Sequence, residues 1–125
     1  MSAGVIFVDA DGGVLMQHRD DDPKIMFPGH WGIIGGASLP GESAEDTARR
    51  ETQEETGLTP PRIEPFRAYY TTETPARGKG PSTDYDLYLF HAPCETRAGD
   101  LACGEGRELR FFSPDDLASL DIAYN

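Results

Sequence analysis

Gly36 to Leu58, which reads GASLPGESAEDTARRETQEETGL, decides how the rest of the chain is interpreted. Its second half predicts a helix. Ser43 is placed to cap the N-terminus with Asp46 as its capping-box partner, and Gly57 can take the left-handed conformation that ends it. On a helical wheel of about 100° per residue, Glu51, Glu54 and Glu55 fall within roughly one 100° arc, on the side that also carries Ala44, Thr47 and Ala48. Glu45, Asp46, Arg49, Gln53 and Thr56 lie opposite. Water already has its own face, so the three carboxylates stand on the side expected to pack.

For stability alone that placement is poor. Glu51 and Glu55 form a like-charge i,i+4 pair, and all three acids lie towards the helix C-terminus, where the macrodipole disfavours anions. Arg50 is one compensating cation, but a single guanidinium on the flank cannot neutralise three carboxylates together with Glu42. A hard divalent cation with oxygen ligands can, sharing its remaining sites with water and substrate phosphates. The plainer reading is a solvated acidic face, the usual state of a charge run.

The spacing favours the first reading. Gly36, five residues, Glu42, seven residues, Arg50-Glu51, then Glu54-Glu55 and Gly57-Leu58 resembles the Nudix box. That family's pattern is Gly-x5-Glu-x7-Arg-Glu-hydrophobic-x-Glu-Glu-x-Gly-hydrophobic. The departure is Thr52 at the first hydrophobic position, which predicts weaker packing of the helix on its sheet. The resemblance implies an α/β (α+β) fold, an α/β/α sandwich with a mixed sheet between helices, formed by one Nudix hydrolase domain over residues 1–125. It also implies divalent-metal-dependent hydrolysis of a diphosphate bond in a nucleoside diphosphate linked to another moiety, by water attack on phosphorus.

Position by position, the resemblance implies that Glu54 and Glu55 are primary ligands of Mg²⁺ or Mn²⁺ and that Glu51 is a further ligand or the base. Glu42 then supports the metal from the preceding loop, Arg50 orients Glu51, and the carbonyl of Gly35 is another ligand. A further metal-binding Glu is expected before the last strand, with Glu105 preferred to Glu108. Two other classes stay open. A nucleotide-binding regulator on the same fold tends to lose box acids, and none is lost here. An isoprenyl-diphosphate isomerase needs a nucleophilic Cys at a set place, and neither Cys94 nor Cys103 has positional support.

Length and charge bound the rest. At 125 residues, one domain with one core is expected. The net charge of −11 argues against a groove for nucleic acid polymers, whose footprints are basic, while a small nucleotide can still bind through a metal. Cys94 and Cys103 are too few and too irregularly placed for a disulfide framework or a structural zinc site, and read as free thiols of a cytoplasmic protein. No run of about 18 apolar residues indicates a membrane span.

Along the chain, Val5 to Val8, the turn Asp11-Gly12-Gly13 and Val14 to Arg19 predict a β-hairpin. Asp20-Asp21-Asp22-Pro23 reads as a solvated turn. Ile33 and Ile34 predict a short buried strand before Gly35 and Gly36, with Trp31 packed beneath the loop. Further strands are expected over Ile63 to Thr72, Asp84 to Ala92 and Arg107 to Phe112, with Phe66, Tyr69 and Tyr70 supplying bulk, and Ser113-Pro114 starts a helix. The segment 73–83 reads as a loop whose Arg77 and Lys79 are candidates to reach substrate phosphates. Tyr70 is a candidate stacking surface for a base. The end at Asn125 suggests a trimmed domain, or a core completed by a partner subunit in a homodimer.

Overall fold

The computed structural model describes the backbone of residues 1–25, 27–73, 83–104, 106 and 108–121, and their side chains except those of 69–73 and 83–85. The elements are β1 (Ser2–Val8), β2 (Val14–His18), β3 (Trp31–Gly32), β4 (Ile34–Ala37), α1 (Ala44–Thr56), β5 (Glu64–Glu73), β6 (Thr83–Pro93), β7 (Glu108–Phe112) and α2 (Pro114–Leu117). Ala98–Asp100 forms a 3-10 turn between β6 and β7. Seven strands make one mixed sheet. β1 runs parallel to β6 and antiparallel to β2 and β4, and β5 closes one edge on β6.

The expected hairpin turn is present. The Asp9 carboxylate accepts from the N–H groups of Asp11 and Gly13 at 3.0 and 2.7 Å, and Gly12 takes φ 82°. Its strands separate at once, with Val8 opposite Val14 as their paired position. The reason is competition for one edge. β4 takes the first half of β1, from Ser2 opposite Ala37 to Val5 opposite Ile34. The chain from Trp31 to Ala37 starts on β2, where Trp31 faces His18, and crosses to β1 after Ile33. Gly4 and Gly35 meet at this crossing, and a Cβ on Gly4 would stand 2.5 Å from the Ile34 carbonyl oxygen. The crossing strand thereby carries Gly35 and Gly36 towards α1.

The core lies between β1, β4, β6 and α1, with Ala3, Val5, Phe7, Ile34, Ala48, Phe90 and Ala92 buried. Ser43 caps α1 with Asp46 in a reciprocal capping box, and Gly57 ends it at φ 77°, as the sequence predicts. The wheel reading errs at Thr56, which is buried rather than in water, and the weaker packing expected at Thr52 is not seen, since Thr52 is 0% exposed. Each hydroxyl donates one turn back, Thr52 to the Ala48 carbonyl and Thr56 to the Thr52 carbonyl, both at 2.7 Å. The box departure therefore packs fully, its methyl group in the core and its hydroxyl satisfied by the helix itself.

Phe66 does not add to the core either. It occupies a register shift between Pro65 and Arg67 that turns it outward, 53% exposed. Trp31 packs on the sheet, stacked on His18 of β2 with centroids 4.4 Å apart and edge-on to Phe112 of β7. Neither cysteine is in a disulfide; Cys94 lies in the core and Cys103 at the surface. Among the described residues, no helix is long and apolar enough to cross a membrane.

Candidate active site

α1 runs antiparallel to β4, so its C-terminal half lies over the two glycines that end the crossing. Glu55, 2% exposed, accepts from the Gly35 N–H at 3.3 Å. Glu51 lies on Gly36, where a Cβ would stand 2.6 Å from its carboxyl carbon. The carboxylate occupies the volume that a side chain at position 36 would take. Glu54, one residue from Glu55, is half exposed. The three acids thus grade from core to solvent along one side of the helix end.

Arg50 ties them to the loop before the helix. Its Nε donates to Glu42 Oε2 at 2.8 Å and its Nη2 to Glu42 Oε1 at 3.0 Å, a two-pronged pair. Nη2 also donates to the Ala37 carbonyl at 2.9 Å. Nη1 is directed at the box acids, reaching Glu51 Oε1 at 3.0 Å and both oxygens of Glu54 at 3.2 and 3.3 Å. Glu42 is held from other sides too, accepting from the Leu39 N–H at 2.7 Å and from the Thr47 hydroxyl at 3.3 Å. The Arg50 hydrogen bond, followed by that of Leu39, lowers the Glu42 carboxyl to about 2, and the same pair raises Arg50 above the ordinary guanidinium range.

The far end of α1 is closed by the segment after the 3-10 turn. Ala102 N–H donates to the Thr56 carbonyl and Gly104 N–H to the Glu55 carbonyl, each at 3.1 Å. These bonds serve helix-end carbonyls that would otherwise need a partner. Gly104 comes so close that a Cβ there would overlap the Glu54 carbonyl oxygen, and a Cβ on Gly106 would stand 2.6 Å from the His18 carbonyl oxygen. Cys103 on this segment has its thiol pushed up by burial, then by the charges of Asp20, Glu108 and Glu55. The Gly104-x-Gly106 spacing was visible in the sequence, but only the fold shows what each glycine touches.

The structure brings together Gly35, Glu42, Arg50, Glu51, Glu54 and Glu55 of the residues singled out from the sequence. Glu105, Arg77 and Lys79 lie outside the described residues, as does the side chain of Tyr70. Glu108, the other candidate in the loop, is on β7 beside Arg110, whose Nη2 donates to it at 2.9 Å.

A mixed sheet whose box helix turns acids onto a Gly-Gly strand end defines a class, and the whole chain, residues 1–125, matches the NUDIX domain. The protein belongs to the Nudix family and is a Nudix-type hydrolase. It is 32% identical over 120 residues to the nucleoside triphosphatase NudI of Escherichia coli K12, covering 92% of this chain and 83% of that protein. It is 28% identical over 120 residues to NudI of Escherichia fergusonii, with the same coverage. Among solved structures, the NUDIX domain of Shewanella oneidensis NrtR complexed with ADP ribose superposes with a TM-score of 0.75 at 22% identity, covering 98% of this chain and 78% of that one. The MutT protein of Methanosarcina mazei gives 0.74 at 20% identity, over 97% of this chain and 82% of that one.

Proposed function

We propose that this protein is a divalent-metal-dependent pyrophosphohydrolase that cleaves a diphosphate bond in a nucleoside diphosphate linked to another moiety. Nucleoside triphosphates are the first substrates to test, ahead of nucleotide sugars and dinucleotides, because the NudI relatives are nucleoside triphosphatases. The carrying observation is the bed that Gly36 makes for Glu51 beside Glu54 and Glu55. It confines carboxylates where like charge and the helix dipole both oppose them.

The donor set fits Mg²⁺ or Mn²⁺. It consists of oxygens alone, and the missing Cβ of Gly36 leaves the room that the Glu51 carboxylate occupies. Among the described residues no three acidic, histidine or cysteine side chains already stand in a ligating group. Glu54, Glu55, Glu51 and the Gly35 carbonyl would hold the ion, with Glu42 in support and Glu105 contributing from the loop. When bound, it supplies counter-charge for the phosphates and Lewis acidity at phosphorus. Glu51 is the candidate to take the proton of the attacking water, held in place by Arg50. Arg77 and Lys79 would meet the phosphates and Tyr70 the base.

A phosphate-release screen over nucleoside triphosphates, nucleotide sugars and dinucleotides, with Mg²⁺ and with Mn²⁺, tests this reading on wild type and Glu54→Gln. Loss of one ligand carboxylate should slow the best substrate by roughly 10²-fold or more. Equal rates would remove the assigned roles, and a wild type inert on every compound would turn attention to nucleotide sensing.

A further inference from the structure

Arg50 distributes its donors unevenly. Nε and Nη2 are committed to Glu42 and the Ala37 carbonyl, the contacts that fix it to the loop before the helix. Nη1 alone serves Glu51 and Glu54, with both Glu54 oxygens turned to it at 3.2 and 3.3 Å. Side-chain exposure follows the same division. Glu42 and Glu51 are 17% and 12% exposed, whereas Glu54 is 48% exposed and therefore free to swing. A carboxylate that directs both oxygens at one guanidinium nitrogen does not direct them at a cation on the other side of the cluster.

We infer that Arg50 is the resident counter-ion of the box and that a divalent cation loads by taking Glu54 from Nη1, while the Glu42 prongs hold Arg50 in place. The inference rests on the functional reading above. It assigns Arg50 two separable duties: a fixed anchor through Nε and Nη2, and an exchangeable grip through Nη1. It also explains how two of the three acids share the helix end before any ion arrives. In the metal-free protein they are not left to repel one another, because one arm of Arg50 lies between two of them.

The test is the sign of a change in metal affinity. Mn²⁺ is titrated by calorimetry into the full chain, wild type and Arg50→Lys, in the absence of nucleotide. Lysine keeps the charge but has one compact head, which cannot hold Glu42 with two prongs and reach Glu54 as well. If Arg50 competes for Glu54, the variant binds Mn²⁺ more tightly, by roughly two- to fivefold given the modest strength of exposed ion pairs. If Arg50 instead pre-orients Glu54 as a ligand, the variant binds equally or more weakly, and the inference is overturned. A wild type that binds no Mn²⁺ overturns the functional reading and this inference with it. Should Arg50→Lys fail to fold, NMR of the wild-type Arg50 side chain under Mg²⁺ decides. Loading should shift the Nη1 signal and leave the Nε signal, and an unmoved Nη1 signal at saturating Mg²⁺ rejects the exchange.

Discussion

Glu51 rests on Gly36 so closely that a methyl group on the glycine would stand 2.6 Å from the carboxyl carbon. The atom in the way is the far end of a flexible side chain, not backbone. Gly36→Ala should therefore fold, with stability within about 1 kcal/mol of wild type, because Glu51 can turn aside. Turnover should fall by about 10- to 100-fold, since a displacement near 1 Å is enough to spoil a catalytic carboxylate. Thermal melting and steady-state kinetics on the same preparation separate the two effects, and an unchanged turnover number would dissociate Glu51 from the chemistry.

Where the loop closes the end of the helix, the obstacle is backbone. A Cβ on Gly104 would overlap the Glu54 carbonyl oxygen, and neither partner can rotate away. Gly104→Ala should destabilise the fold by about 1–3 kcal/mol, as overpacking against a fixed group does. It should also release the Ala102 and Gly104 bonds to the helix-end carbonyls. Hydrogen exchange at those two amides, expected to be slow in wild type, should accelerate by more than the global change explains. Wild-type protection would argue that the loop does not cap the helix.

The Glu42–Arg50 pair sets a pH window. The folded carboxyl is lowered to about 2 from 4.5, so the pair's contribution is fully present above pH 4.5 and is lost as pH falls towards 2. Wild type should melt above Glu42→Gln at neutral pH, and the gap should close across that interval. A gap that stays constant down to pH 2 would mean the carboxylate is not held by Arg50.

Thr52 stands where the family pattern places an apolar side chain. Its hydroxyl bonds to a carbonyl that already has its helix partner, so Thr52→Val orphans nothing while adding an apolar group to a closed site. We expect stabilisation of about 0.5–1 kcal/mol by chemical denaturation. Destabilisation beyond about 1 kcal/mol would show that the hydroxyl bond matters more than burial.

Much of this could be read from the chain alone. The caps Ser43, Asp46 and Gly57 are local chemistry, and the structure has all three in place. The box spacing identified the family and brought Glu51, Glu54 and Glu55 to one helix end. One error came from the assumption that each residue's partner is near in sequence. Thr56 read as solvent-facing because a wheel has no knowledge of what covers its flank. The opening hairpin is present, but nothing local reveals that β4 claims the same edge of β1.

What the sequence determined by itself was therefore the class of chemistry and the elements that carry it, since helix caps, turn residues and carboxylate spacing act over a few positions. What only the tertiary structure decided was who meets whom at a distance: Glu51 with Gly36, Glu55 with the Gly35 amide, Arg50 with the Ala37 carbonyl, and Gly104 with the end of α1. Those meetings depend on a strand that leaves β2 for β1 between Trp31 and Ala37. That crossing is fixed by packing of the whole sheet, which no short window of residues encodes.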